Sequence, residues 1–151
     1  MNKTLITLAG ALALAAATTT SAGDYVKNYK EVVKAADWKA MTTIVVNMNE
    51  YEYDTTTLEL TAGQAYKLEL KNLGEKKHYF TAPEFFKNVA TRKAQVNGQA
   101  EIKADYFTAL EILPGGQLDL YVVAHNKGEY PVYCTIDDHR DEGMDDVIII
   151  N

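Results

Sequence analysis

"NKGEYPVYCTIDDHRDEGMDDVIII", residues 126–150, opens on a turn and then places Tyr130, Val132 and Cys134 on one face of a strand. It closes in Val147–Ile150, an apolar run that reads as a short buried strand. The loop between them holds Cys134, His139 and Met144 in the spacing C-x4-H-x4-M. Asp137, Asp138, Asp141, Glu142, Asp145 and Asp146 surround those three residues. Cys134 is the single cysteine of 151 residues, so no internal disulfide can explain it.

Upstream, the chain repeats the same short-strand pattern. Thr42–Tyr53 is β-branched and aromatic, as strands prefer. Tyr66, Leu68 and Leu70 alternate with Lys67, Glu69 and Lys71, the signature of a half-buried strand, and Asn72-Leu73-Gly74 ends it. Gln117–His125 alternates again, with shorter candidates around Ile102 and Leu110–Ile112. Two segments read as helical. Residues 24–40 set Tyr25, Tyr29, Val32, Val33 and Ala36 on one helical face, with Asp24 as N-cap. Residues 81–93 place Pro83 and Glu84 early and Arg92 and Lys93 late. Many short strands separated by turns predict an all-β, antiparallel sandwich with a short N-terminal helix and one inserted helix.

The first residues have a different character. Lys3, an apolar run from Leu5 to Ala17 and the small residues after it have the layout of a secretory signal peptide, cleaved after Ala22. That run is too short to span a bilayer, and no later segment is apolar enough to do so. We therefore expect a periplasmic protein without membrane insertion. Residues 1–22 are the leader, 23–41 a helical extension and 42–151 the β domain. Cleavage leaves 151 − 22 = 129 residues with a charge of 14 − 21 = −7. A chain of that size suits one domain and buries roughly two-thirds of its unfolded surface. Its acidity argues against nucleic acid as a partner and permits a basic protein.

The loop ligands have a chemical logic. A thiolate, an imidazole and a thioether can reach one ion, and a second imidazole completes a His₂Cys site with a weak axial Met. His78 is the candidate, following a strand and a turn 56 residues before Cys134. Thiolate and thioether suit Cu(I), and imidazole also accepts Cu(II). Zinc draws four strong ligands, and iron–sulfur clusters need more cysteines. One copper ion cycling between Cu(I) and Cu(II) is the expected cofactor. His125 sits where a strand enters a turn and reads as a surface residue.

Three stretches carry a resemblance: "LELKNLGEKKH", "NKGEYPVYCTIDDH" and "EGMDDVIII". They resemble the cupredoxin family, the plastocyanin- and azurin-like blue-copper proteins. The C-x4-H-x4-M spacing is most similar to rusticyanin- and sulfocyanin-type members. "HYFTAPEFF" is similar to a group of exported bacterial copper-binding proteins. The resemblance implies a Greek-key sandwich over residues 42–151 with copper held by His78, Cys134, His139 and Met144. It implies a monomeric carrier of single electrons between redox proteins, possible partners including a basic c-type cytochrome. His139, on an exposed loop, would be the electron port. Two departures stand out. Tyr79 follows the first histidine where many members have Asn, and Asp137-Asp138 replaces Pro-Gly or Gly before the second.

No array of general acid, base and nucleophile is present, so an enzyme is not expected. The alternative reading, a copper carrier or chaperone, uses the same ligands to move the ion. A metal-free interaction module is a third. The acids of the loop read equally well as a solvated surface and as a steering field for a basic partner.

Overall fold

The computed structural model of the chain describes residues 25–55 and 58–151; the leader reading over 1–22 and the Asp24 cap lie outside them. Eleven strands and two helices follow in order among the described residues. They are α1 (Tyr29–Ala35), β1 (Thr42–Asn49), β2 (Glu52–Asp54), β3 (Glu59–Leu60), β4 (Ala65–Asn72) and β5 (His78–Thr81). Next come α2 (Pro83–Lys87), β6 (Val89–Val96), β7 (Ala100–Ile102), β8 (Ala109–Ile112), β9 (Gln117–Ala124), β10 (Gly128–Tyr133) and β11 (Asp145–Ile150). One sheet has the order β2-β1-β4-β9-β6-β7 and the other β3-β11-β10-β5-β8. The pairings are antiparallel except β1 with β4 and β3 with β11, which are parallel.

Alternation explains the layering. In β4, Tyr66, Leu68 and Leu70 are buried while Lys67, Glu69 and Lys71 form ion pairs on the other face. Val46, Met48, Leu68, Leu70, Leu120 and Val122 of the first sheet meet Phe80, Val132, Ile148 and Ile150 of the second. Each such fully buried side chain stabilises the fold by roughly 1.5–3 kcal/mol relative to exposure.

The N-terminal helix is shorter than its sequence pattern. Tyr29, Val32, Val33 and Ala36 do pack against Ala65, Ala90 and Val123, as their spacing predicts, whereas Tyr25 precedes the helix. Trp38 Nε1 donates to the Val33 carbonyl and takes up part of the helix C-terminus. No described helix is long and apolar enough to cross a membrane.

The helix predicted over 81–93 is corrected. It ends at Lys87, where Asn88 caps it, and Val89–Val96 runs on as a strand beside β9. The reason is a bulge. Thr91 pairs with Val122 and Lys93 with Tyr121, so Arg92 is the extra residue and the two-residue alternation skips a beat there. Phe85 and Phe86 on the short helix are fully buried in the main core.

Candidate metal centre

His78 is delivered by the turn that leaves β4. Asn72 is buried, and its amide donates to the carbonyls of Lys76 and Ile112, both at 2.8 Å, while its Oδ1 accepts from the Gly74 amide at 2.9 Å. Such a side-chain-nucleated turn fixes where the next strand begins. That strand begins with His78, paired to Ile112.

Cys134 follows directly on β10, and residues 135–144 coil back in tight turns. His139 N donates to the Ile136 carbonyl at 2.9 Å, and Met144 N donates to the His139 carbonyl at 2.9 Å. Cys134 N donates to the Met144 carbonyl at 3.0 Å. Backbone bonds thus tie the three loop residues together before any ligand is considered.

The side chains converge. His78, Cys134 and His139 are all buried, and one ligating atom from each lies within 4.8 Å of the other two. His139 Nδ1 is 3.5 Å from Cys134 Sγ. Two donors ~2.0–2.3 Å from a common ion stand about 3.5–3.7 Å apart at tetrahedral to trigonal angles. Both ring nitrogens of His78 and Nε2 of His139 are buried without a hydrogen-bond partner. Buried polar groups are rarely left so, because each costs about 1–3 kcal/mol. A metal ion accounts for the convergence and for one partnerless ring nitrogen of His78 together, and the N, N, S donor set fits copper.

Met144 is fully buried beside these residues and held through its backbone. His125 is half-buried and outside the cluster.

The surroundings brace the thiol. The Tyr79 amide donates to Cys134 Sγ across 3.4 Å, and Thr81 and Thr135 share a hydroxyl contact at 3.4 Å. Tyr53 donates its hydroxyl to the Tyr79 carbonyl at 2.5 Å, and burial pushes that phenol well above its ordinary range. The residue after the first histidine therefore contacts the cysteine sulfur through its backbone.

Sequence reasoning missed the turn between β1 and β2. Glu50 places Oε1 3.5 Å from His78 Nε2 and also accepts from the amides of Glu75 and Lys76, at 2.7 and 2.8 Å. These backbone donors, Lys76 foremost, hold its carboxyl below the usual range. Tyr51, in the left-handed region at φ 79°, lays its ring edge-on against His139. No signal in "NEYEY" marks either residue.

Burial of His78, and then the nearby His139, hold its imidazole below the ordinary value, with Glu50 opposing. The expected exposed position of His139 is corrected: it has no solvent exposure, because the loop coils inward and Tyr51 packs on it. The acids around it are exposed.

Compared by sequence, the chain matches no family profile and no curated protein. Its architecture does match solved structures. A multicopper oxidase from Campylobacter jejuni superposes with a TM-score of 0.57 at 15% identity, over 77% of this chain and 31% of that one. McoA multicopper oxidase from Aquifex aeolicus gives 0.53 at 17% identity, over 74% and 29%. Auracyanin B gives 0.51 at 14% identity, over 73% of this chain and 88% of its own. The fold is cupredoxin-like. The chain spans less than half the length of these oxidases and most of the length of auracyanin B. On this cupredoxin-like frame the His78–Cys134–His139 cluster sits where β5 and the β10–β11 loop meet.

Proposed function

We propose that this chain is an exported mononuclear copper protein that carries single electrons. His78, Cys134 and His139 would be the strong ligands and Met144 the weak fourth one. The observation that carries this reading is the convergence of a thiol and two imidazoles, buried, with an amide already donating to the sulfur. Copper, when bound, supplies a one-electron couple.

The chain's own residues do the rest. The Tyr79 amide stabilises negative charge on Cys134 Sγ. Backbone hydrogen bonds and strand pairing hold the ligand residues in place, and full burial of the ligands excludes bulk water. The exposed acids at 137, 138, 141, 142, 145 and 146 set a negative field at this end. Such a field speeds encounter with a basic redox partner, for example a c-type cytochrome. The same negative charge favours Cu(II) over Cu(I).

The test is one equivalent of Cu(II) added to the folded protein, followed by visible and electron paramagnetic resonance spectra. An intense thiolate-to-copper band with narrow hyperfine splitting is expected. Weak ligand-field absorption alone would remove Cys134 from the ligand set and the electron-carrier reading with it.

A further inference from the structure

The glycine at 74 has an unusual reason to be there. Its backbone needs no left-handed conformation, yet a Cβ built on it would overlap both carboxylate oxygens of Glu50. The carboxylate therefore occupies the space that a side chain at 74 would fill. The same Oε1 that faces His78 Nε2 at 3.5 Å is held by the amides of Glu75 and Lys76. Glu50 reaches this seat from the tip of another hairpin, 28 residues before His78.

We infer that Glu50 is a positioning residue of the metal centre, directing His78 Nε2–H to itself and leaving Nδ1 as the free donor toward the ion. The inference rests on the copper reading above. A metal-bound imidazole is held and made more basic when its second nitrogen donates to a carboxylate, and the loss of such a partner costs about 10–100-fold in metal affinity. At 3.5 Å the pair is a charge contact and not yet a hydrogen bond, so the carboxylate acts first through its charge, and the hydrogen bond forms as the pair closes on metal binding. A carboxylate beside the ligand also favours the more highly charged ion, which lowers the reduction potential.

Three variants of the full chain separate this role from a structural one. Glu50→Ala removes the carboxylate, and Gly74→Ala displaces it while leaving it in the sequence. Glu50→Gln keeps an acceptor for the two amides and removes the charge. Copper affinity by chelator competition, the charge-transfer spectrum, the reduction potential and the melting temperature of the copper-free protein are measured for each. We expect Glu50→Ala and Gly74→Ala to lose ~10–100-fold in Cu(II) affinity. Glu50→Gln should lose less affinity, keep the copper-free melting temperature and show a raised potential. If Glu50→Ala lowers only the melting temperature and binds copper with unchanged affinity and spectrum, Glu50 merely staples the 74–76 turn and the inference fails. Wild-type potential and affinity in Glu50→Gln would also overturn it. If the wild-type chain itself takes up no copper, the failure belongs to the proposed function instead.

Discussion

The ring of Tyr51 stands edge-on to the His139 imidazole, with centroids 5.1 Å apart and planes at 74°, and the histidine beneath it has no exposure to solvent. Lys76 Nζ donates to the Tyr51 hydroxyl at 3.1 Å and so fixes the ring from outside. On the proposed electron-carrier reading, electrons leaving through His139 would cross Tyr51 or its rim. Tyr51→Ala should raise the rate of exchange with a small inorganic oxidant, while Tyr51→Phe should not. The lost ring contact costs about 0.5–1.5 kcal/mol. Stopped-flow oxidation of the copper(I) protein measures the difference; equal rates in all three proteins would move the exit route away from His139.

Cys134→Ser keeps a small polar acceptor for the Tyr79 amide but removes the sulfur. The copper-free protein should change by roughly 1 kcal/mol or less, whereas the intense visible band should vanish. The stabilisation conferred by copper, about 2.7 kcal/mol at 100 times the dissociation constant, should fall with it. Thermal melts with and without copper report both quantities.

Phe86 is fully buried, with rings of Phe80, Phe85 and Phe107 at centroid distances of 6.3, 5.6 and 5.9 Å. Phe86→Ala should destabilise the copper-free protein by ~3–5 kcal/mol. Urea titration checks the figure; a loss under about 1 kcal/mol would contradict the packing described.

The pH dependence of the copper-free protein follows from His78. Its folded imidazole is held below the ordinary value of 6.5, so unfolding takes up a proton in the window below that value. This contribution to stability is intact above pH 6.5 and is lost as pH falls through 6.5 toward the folded value. Glu69, held below its ordinary 4.5 by Lys67 and then Lys71, adds a second loss at lower pH. Denaturation midpoints between pH 5 and 7.5 should fall with acid, and His78→Gln should flatten that slope. An unaltered slope in the variant would assign the effect elsewhere.

Replacing Asp137, Asp138 and Asp141 with Asn should slow association with a basic cytochrome several-fold at low salt and leave the rate nearly unchanged at high salt. Salt-independent rates in the wild-type chain would reduce the acids to a solvated surface.

How much of this is legible in the sequence depends on where each partner sits in the chain. Cys134, His139 and Met144 share one loop between two recognisable strands, and His78 follows a turn announced by Asn72 and Gly74, so their spacing alone points to a shared site. Glu50 and Tyr51 reach the site through tertiary packing from a hairpin remote in sequence, and nothing local distinguishes them from other surface residues. The strand after Lys87 was hidden because Arg92, the bulged residue, breaks the alternation that would have shown it. Burial of His139 was hidden because six neighbouring acids suggest an exposed loop, whereas backbone bonds within 136–144 turn the imidazole inward.

Strands β5 and β10 are joined by a single ladder pair, Thr81 with Tyr133. The second sheet therefore has a seam, with the β5–β8 hairpin on one side and β3, β11 and β10 on the other. His78 belongs to the first side, and Cys134 and His139 to the second. An ion held by all three is a clasp across that seam. Loading it should suppress the local breathing of the sheet, so amide hydrogen exchange at residues 78–81 should slow more than exchange in the first sheet.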